Sequence, residues 1–184
     1  MQAQGLKPLA RATVESAVPS FTHMAILALQ KNFDAVVVST NVDGLHMRSG
    51  IPKSHLIELH GNCFKETCSN PNCGEVYLRD FDCTKEGARK DHLTGRTCDK
   101  CNSFVYDSII HFGENLPQDE LERAFQLSNS ADVAIVLGTS MRVAPACHLP
   151  INAKKNNSAS VVIVNRQVIN FLTKTFSKTN QKQI

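Results

Sequence analysis

A chain of 184 residues with 42% hydrophobic content suits one domain, or one domain with a small inserted module, and can fill a core. Its formal charge of +3, with both signs mixed along the chain, is too weak to argue for a nucleic-acid or acidic-membrane surface. No apolar run approaches the ~20 residues of a membrane helix, and Met1–Gly5 lacks the basic and apolar regions of a secretory signal. Seven cysteines in a chain expected not to be secreted point to metal or free thiols rather than disulfides.

Residues 1–18 read as irregular. Pro19-Ser20 followed by Thr22–Leu29 predicts a helix with Ser20 as N-cap, Ala25, Ile26 and Leu29 as its apolar face, and His23 in a structural role. Asp34–Ser39 reads as a buried strand, a β-branched run bounded by polar residues. Thr40-Asn41-Val42-Asp43-Gly44-Leu45-His46 therefore sits past a strand's carboxyl end, where open α/β sheets bind ligands. Asn, Asp and Gly in that place are equally ordinary turn chemistry. Leu56–Leu59 is a second extended run closed by His60, with Gly61 behind it. A small neighbour leaves room for a substrate, and an imidazole suits a general base near neutral pH.

Residues 62–104 are polar and cysteine-bearing. Cys68-x4-Cys73 and Cys98-x2-Cys101 form two knuckles, the layout by which small ribbons supply four thiolates to structural zinc. Cys63 precedes Cys68 at the same spacing; Cys68 and Cys73 are preferred because they flank the turn Asn70-Pro71-Asn72. Cys63, Cys83 and Cys147 are expected to be buried or free, and His92, a conceivable ligand, to lie at the surface.

Asp107–Glu114 reads as a short extended piece ending in a loop. Pro117-Gln118-Asp119-Glu120 opens a helix with an apolar stripe through Leu121, Ala124, Phe125 and Leu127. Asp132–Leu137 is a buried strand running into Gly138-Thr139-Ser140, Leu149–Asn156 a short helix, and Val161–Asn165 another strand. Residues 168–184 lose the pattern and read as a solvated, flexible tail. Apolar strands that run into polar loops, with helices between them, predict an α/β fold with a doubly wound, Rossmann-like parallel sheet. The sheet should draw on residues 19–61 and 105–167, with residues 62–104 inserted as a zinc-ribbon module. No Gly-x-Gly-x-x-Gly turn precedes the first strand.

Taken together, several motifs in order across residues 19–167 resemble the sirtuins, the NAD-dependent protein deacylases. They are Thr40–His46, Glu58-Leu59-His60-Gly61-Asn62, the two cysteine pairs, His111–Pro117, Leu137–Ser140 and Ile163–Asn165. His46–Pro52, Tyr77–Phe81 and Thr94–Cys98 look most like the nuclear branch of the sixth and seventh mammalian sirtuins. The resemblance implies an NAD-binding domain beside a zinc module, with an acylated lysine of a protein, histones included, entering between them. It implies His60 as catalytic base, Asn41 positioning ribose and water, and Asp43 holding the nicotinamide end, with Thr40 beside them where the family usually has Gln. It further implies Gly138, Thr139 and Ser140 at the phosphates and adenine-side ribose, Asn165 at the adenosine ribose, and His111, Phe112, Gly113 and Glu114 lining the lysine tunnel. The family's glycine-rich opening and C-terminal end have no counterpart, so a truncated domain is expected. The alternative is a catalytically poor module that binds acyl-lysine peptides. A nucleus-located protein, otherwise cytoplasmic, follows from the branch. A zinc ribbon that binds nucleic acid is disfavoured by the charge balance.

Overall fold

The computed structural model describes residues 13–84 and 91–168. The readings of residues 1–12 and of the tail from 169 onward lie outside the described residues. In chain order the elements are α1 (Phe21–Leu29), β1 (Val37–Ser39), α2 (Leu45–Arg48), β2 (Leu56–Glu58), β3 (Lys65–Cys68), β4 (Val76–Leu78), β5 (Leu93–Thr97), β6 (Phe104–Asp107), α3 (Gln118–Ser130), β7 (Val133–Leu137), α4 (Leu149–Asn157) and β8 (Ser160–Val164). They fall into two units. The first comprises Asp34–Val42, Pro52–Gly61 and the chain from Ile109 on; the second comprises the chain up to Phe33, Asp43–Ile51 and Asn62–Ser108.

The first unit has the expected parallel α/β character. β1 pairs in parallel with β2, Val37 opposite Leu56 and Ser39 opposite Glu58. β7 pairs in parallel with β8 over five positions, from Val133 opposite Ser160 to Leu137 opposite Val164. Parallel neighbours need a crossover, and between β7 and β8 it contains α4, with a proline in its first turn. α3 starts behind Pro117 with Asp119 and Glu120 in its first turn, where acids meet the positive end of the helix dipole. Its stripe packs as the sequence implies. Ala124 joins fully buried Ile57 and Leu59, ringed by Val36, Val38, Leu121, Leu127 and Leu149. Each such aliphatic side chain taken from water is worth about 1.5–3 kcal/mol.

The second unit is built on an antiparallel sheet in the order β4-β3-β6-β5. β3 alternates strictly, with Glu66 and Cys68 buried and Lys65 and Thr67 half-buried, because successive side chains of a strand point to opposite faces. β6 pairs with both β3 and β5, so this unit runs to Ser108 rather than ending at residue 104. Asp43–Ile51 also belongs here and not with the parallel strands. The physical reason is close packing. A Cβ on Gly44 would lie 2.9 Å from Phe64 Cδ2, and the Arg48 guanidinium sits 5.6 Å from the Phe64 ring centroid.

α1 begins at Ser20 as expected, and the Ser20 main-chain N–H donates to His23 Nδ1 at 3.1 Å. Its expected apolar face is different from the prediction. Ala25 and Leu29 are exposed, whereas Ile26 and Leu27 are half-buried, with Leu27 Cδ2 3.6 Å from where a Cβ on Gly50 would lie. Among the described residues, no helix is long and apolar enough to cross a membrane.

Candidate functional site

Four strands of the first unit end at residues singled out from the sequence. β1 runs on into Thr40 and Asn41, β2 through Leu59 into His60, β7 into Gly138-Thr139-Ser140, and β8 into Asn165. The parallel registers set these ends in adjacent pairs. Ser39 opposes Glu58 just before Thr40 and His60, and the Gly138 N–H donates to the Val164 carbonyl at 3.0 Å, beside Asn165. In parallel α/β folds the carboxyl edge is where ligands find unpaired main-chain groups.

His60 Nδ1 lies 3.2 Å from the Thr40 carbonyl oxygen. A carbonyl only accepts, so Nδ1 carries the hydrogen and Nε2 keeps its lone pair. Asn41 is exposed, and its main-chain N–H donates to Ser39 Oγ at 3.1 Å. Gly138 has φ +58°, which a side chain rarely adopts, and nothing stands within 4 Å of where its Cβ would be. Open space beside a positive-φ glycine lets a ligand approach the backbone closely. Thr139 Oγ1 accepts from the Met141 N–H at 3.2 Å, and the Asn165 side-chain amide donates to the Gln167 carbonyl at 2.9 Å.

Two main-chain bonds shape the segment of residues 111–114. The Ile110 N–H donates to the His60 carbonyl at 3.1 Å, and the Glu114 N–H to that of His111 at 3.1 Å. Glu114 Oε2 accepts from the His111 N–H at 2.7 Å, Gly113 has φ +93°, and Phe112 is 91% exposed. Asp43 lies in the second unit, where its Oδ1 accepts from the Leu45 N–H at 3.0 Å and so serves the first turn of α2.

The second unit holds the cysteine centre. The sulfurs of Cys68, Cys73, Cys98 and Cys101 all lie within 4.8 Å of one another, so Cys68 and not Cys63 completes the set. Cys68 and Cys101 sulfurs are 3.4 Å apart, and those of Cys73 and Cys98 3.7 Å. A tetrahedron with Zn–S bonds of about 2.3 Å has edges of about 3.8 Å, so the donors and spacing fit zinc. The Ser103 hydroxyl and N–H hold the Cys101 thiol down to about 6, towards the thiolate that binds metal. Burial pushes the thiols of Cys63 up to about 11 and of Cys68 and Cys83 up to about 12, so the gathering of the four sulfurs, and not their titration, sets the metal-binding cysteines apart from buried Cys63 and Cys83. His92 is not a surface residue: its Nδ1 lies 3.0 Å from Asp107 Oδ1 and its side chain is largely buried.

A charged group missed in the sequence supports this sheet. Glu66 is fully buried; its Oε2 accepts from Arg79 Nε at 2.7 Å and its Oε1 from Arg96 Nε at 2.6 Å. Burial pushes this carboxyl up, but donors from Arg79, Thr94 and Arg96 outweigh it and hold it below its ordinary value. The only prior signal is an acid at an inward position of an alternating strand, with arginines in the strands around it.

The family model of the Sir2 family matches residues 4–145. This chain belongs to the Sir2 family. The Sir2 chain is 41% identical over 163 residues to the NAD-dependent protein deacetylase SRT1 of Arabidopsis thaliana, covering 87% of itself and 33% of that relative. It is 43% identical over 141 residues to the NAD-dependent protein deacetylase sirtuin-7 of Rattus norvegicus, covering 74% of itself and 35% of that protein. It thus spans about a third of the length of these curated relatives. A solved structure of Sir2 with a p53 peptide and NAD+ superposes with a TM-score of 0.66 at 36% identity, covering 87% of this chain and 63% of that one. The Rossmann-like α/β class and the cysteine centre of this Sir2 chain agree with that membership.

Proposed function

We propose that the chain is an NAD-dependent protein lysine deacylase that moves an acyl group from lysine to the ADP-ribose of NAD and releases nicotinamide. The observation that carries this reading is the hydrogen bond from His60 Nδ1 to the Thr40 carbonyl at 3.2 Å, at the carboxyl edge of a parallel strand pair. The residues fit the cofactor: the turn at Gly138 is open where a side chain would stand, and Asn165 stands next to it at the end of β8. When bound, NAD supplies a ribose whose nicotinamide leaves and which accepts the acyl group.

His60 Nε2 takes the proton from a ribose hydroxyl, and the Thr40 carbonyl steadies the imidazolium through Nδ1–H. Asn41 orients the ribose and water, with Thr40 beside it. Gly138, Thr139 and Ser140 bind the phosphates and adenine-side ribose, and Asn165 the adenosine ribose. By the family resemblance, Asp43 is assigned to the nicotinamide end. The exposed backbone of His111, Phe112, Gly113 and Glu114 pairs with an extended acyl-lysine peptide. The four-thiolate zinc is structural, since a closed tetrahedral site has no position left for substrate. The substrate is an acylated lysine on a nuclear protein, a histone tail among the candidates, on the strength of the stretch His46–Pro52.

The test is nicotinamide release from NAD in the presence of an acetylated peptide. His60→Ala should lower the rate by about 10²–10⁴-fold, the usual worth of a positioned base. Release that is indifferent to His60→Ala removes the reading. Peptide binding without measurable NAD binding puts an acyl-lysine-binding module in its place.

A further inference from the structure

Tyr77 sits on β4 directly opposite Glu66 of β3. Its hydroxyl oxygen lies 3.2 Å from Cys98 Sγ and accepts the Asp99 main-chain N–H at 2.9 Å. These two contacts fix the direction of the first. The N–H can only donate, so it occupies a lone pair on the phenol oxygen. The phenol has one hydrogen, and a metal-binding sulfur is a thiolate with none. Tyr77 O–H therefore points at Cys98 Sγ.

The ring is held in place from its other side. The Arg79 guanidinium lies 4.5 Å from the Tyr77 ring centroid, and Arg79 Nε donates to the fully buried Glu66. Glu66, Arg79, Tyr77 and Cys98 thus form a continuous run from a buried carboxylate to a metal-binding sulfur. Cys98 is itself fully buried.

We propose that the Tyr77 hydroxyl, donated to the Cys98 thiolate, is a positioning group that sets how tightly the four-cysteine centre holds its metal. The proposal rests on the zinc reading above. Four thiolates around one divalent ion leave two excess negative charges in a site where Cys98 is out of water. A hydroxyl hydrogen aimed at that sulfur offsets part of the excess and disfavours protonation, the route by which thiolates let go of metal. Groups that hydrogen-bond a metal ligand from behind are worth about 10–100-fold in affinity.

The test uses the full chain, loaded with zinc and separately with cobalt. Tyr77→Phe keeps the ring under Arg79 and removes only the hydroxyl. Zinc affinity, measured by competition with a chromogenic chelator, should fall about 10-fold. The thiolate-to-cobalt charge-transfer band should move to longer wavelength, because an unbonded sulfur lone pair lies higher in energy; a purely packing role for Tyr77 would not move it. A fluorinated tyrosine at position 77, a stronger donor of the same shape, should shift both readouts the opposite way, and it decides the matter if Tyr77→Phe does not fold. Unchanged affinity and band in either variant overturn the proposal. A parent chain that takes up no zinc overturns the metal reading and this proposal with it, whereas a parent that binds zinc beside an indifferent Tyr77→Phe overturns this proposal alone.

Discussion

The imidazole rings of His23 and His46 lie with their centroids 4.8 Å apart and their planes tilted by 53°. Both belong to the second unit, His23 from α1 and His46 from α2. Burial first, and then the neighbouring His23, push His46 down from 6.5, while Asp43 pulls it the other way. The folded protein thus resists a proton that the unfolded chain accepts. Stability should be undiminished above 6.5 and decline as the pH falls below it, levelling off under the folded value. Urea midpoints measured between about pH 7 and pH 5 should slope downward in the parent, and His46→Gln should flatten the slope.

Glu66 is a charge that only its partners make tolerable. Glu66→Gln keeps the shape but leaves Arg79 and Arg96 without their counter-charge, and breaking a buried pair costs about 3–5 kcal/mol. Denaturant unfolding should report a loss of that order. Because the folded carboxyl is held below 4.5, its contribution is present at neutral pH and is lost only as the pH falls below 4.5 through the folded value.

Gly44 and Gly74 separate backbone strain from collision. Both have positive φ, +66° and +57°, but a Cβ at Gly44 would meet Phe64 at 2.9 Å and Asn62 Oδ1 at 3.0 Å, while at Gly74 it would meet nothing within 4 Å. Gly74→Ala should cost about 1 kcal/mol for its backbone alone. Gly44→Ala should cost more, towards about 3 kcal/mol, since it adds overpacking. Thermal midpoints of the two variants make the comparison.

Cys98→Ser removes one of four sulfurs from the metal centre. Zinc content by atomic absorption should fall from one per chain to a small fraction of that. Amide exchange in β3 and β6 should accelerate, because folding of such a module is coupled to metal binding. Stoichiometric zinc in Cys98→Ser would defeat the four-cysteine assignment.

Sequence reasoning reached furthest where one physical rule acts locally. β7 and β8 are β-branched runs that form strands as read, although Val133, Ile135, Val162 and Val164 are exposed where burial is expected; α1 and α3 carry their start signals, and the cysteine pairs have a spacing that few other needs impose. The antiparallel sheet was not legible strand by strand. Lys65–Cys68 and Leu93–Thr97 are short and polar, and ion pairing around Glu66 compensates for the apolar burial they lack. The transfer of Asp43–Ile51 to that unit depends on the contact of Gly44 with Asn62 and Phe64, which chain order does not reveal. His60 could be chosen for its chemistry, but its partner could not, since a peptide carbonyl leaves no mark in a sequence.

That partner separates two properties of position 40. What reaches His60 is the amide oxygen there, which every amino acid owns, and not the threonine hydroxyl. Exchanging the side chain leaves the imidazole tautomer untouched as long as the peptide plane stays in place. Evolution can therefore change the side chain at position 40 without moving the hydrogen on the His60 ring.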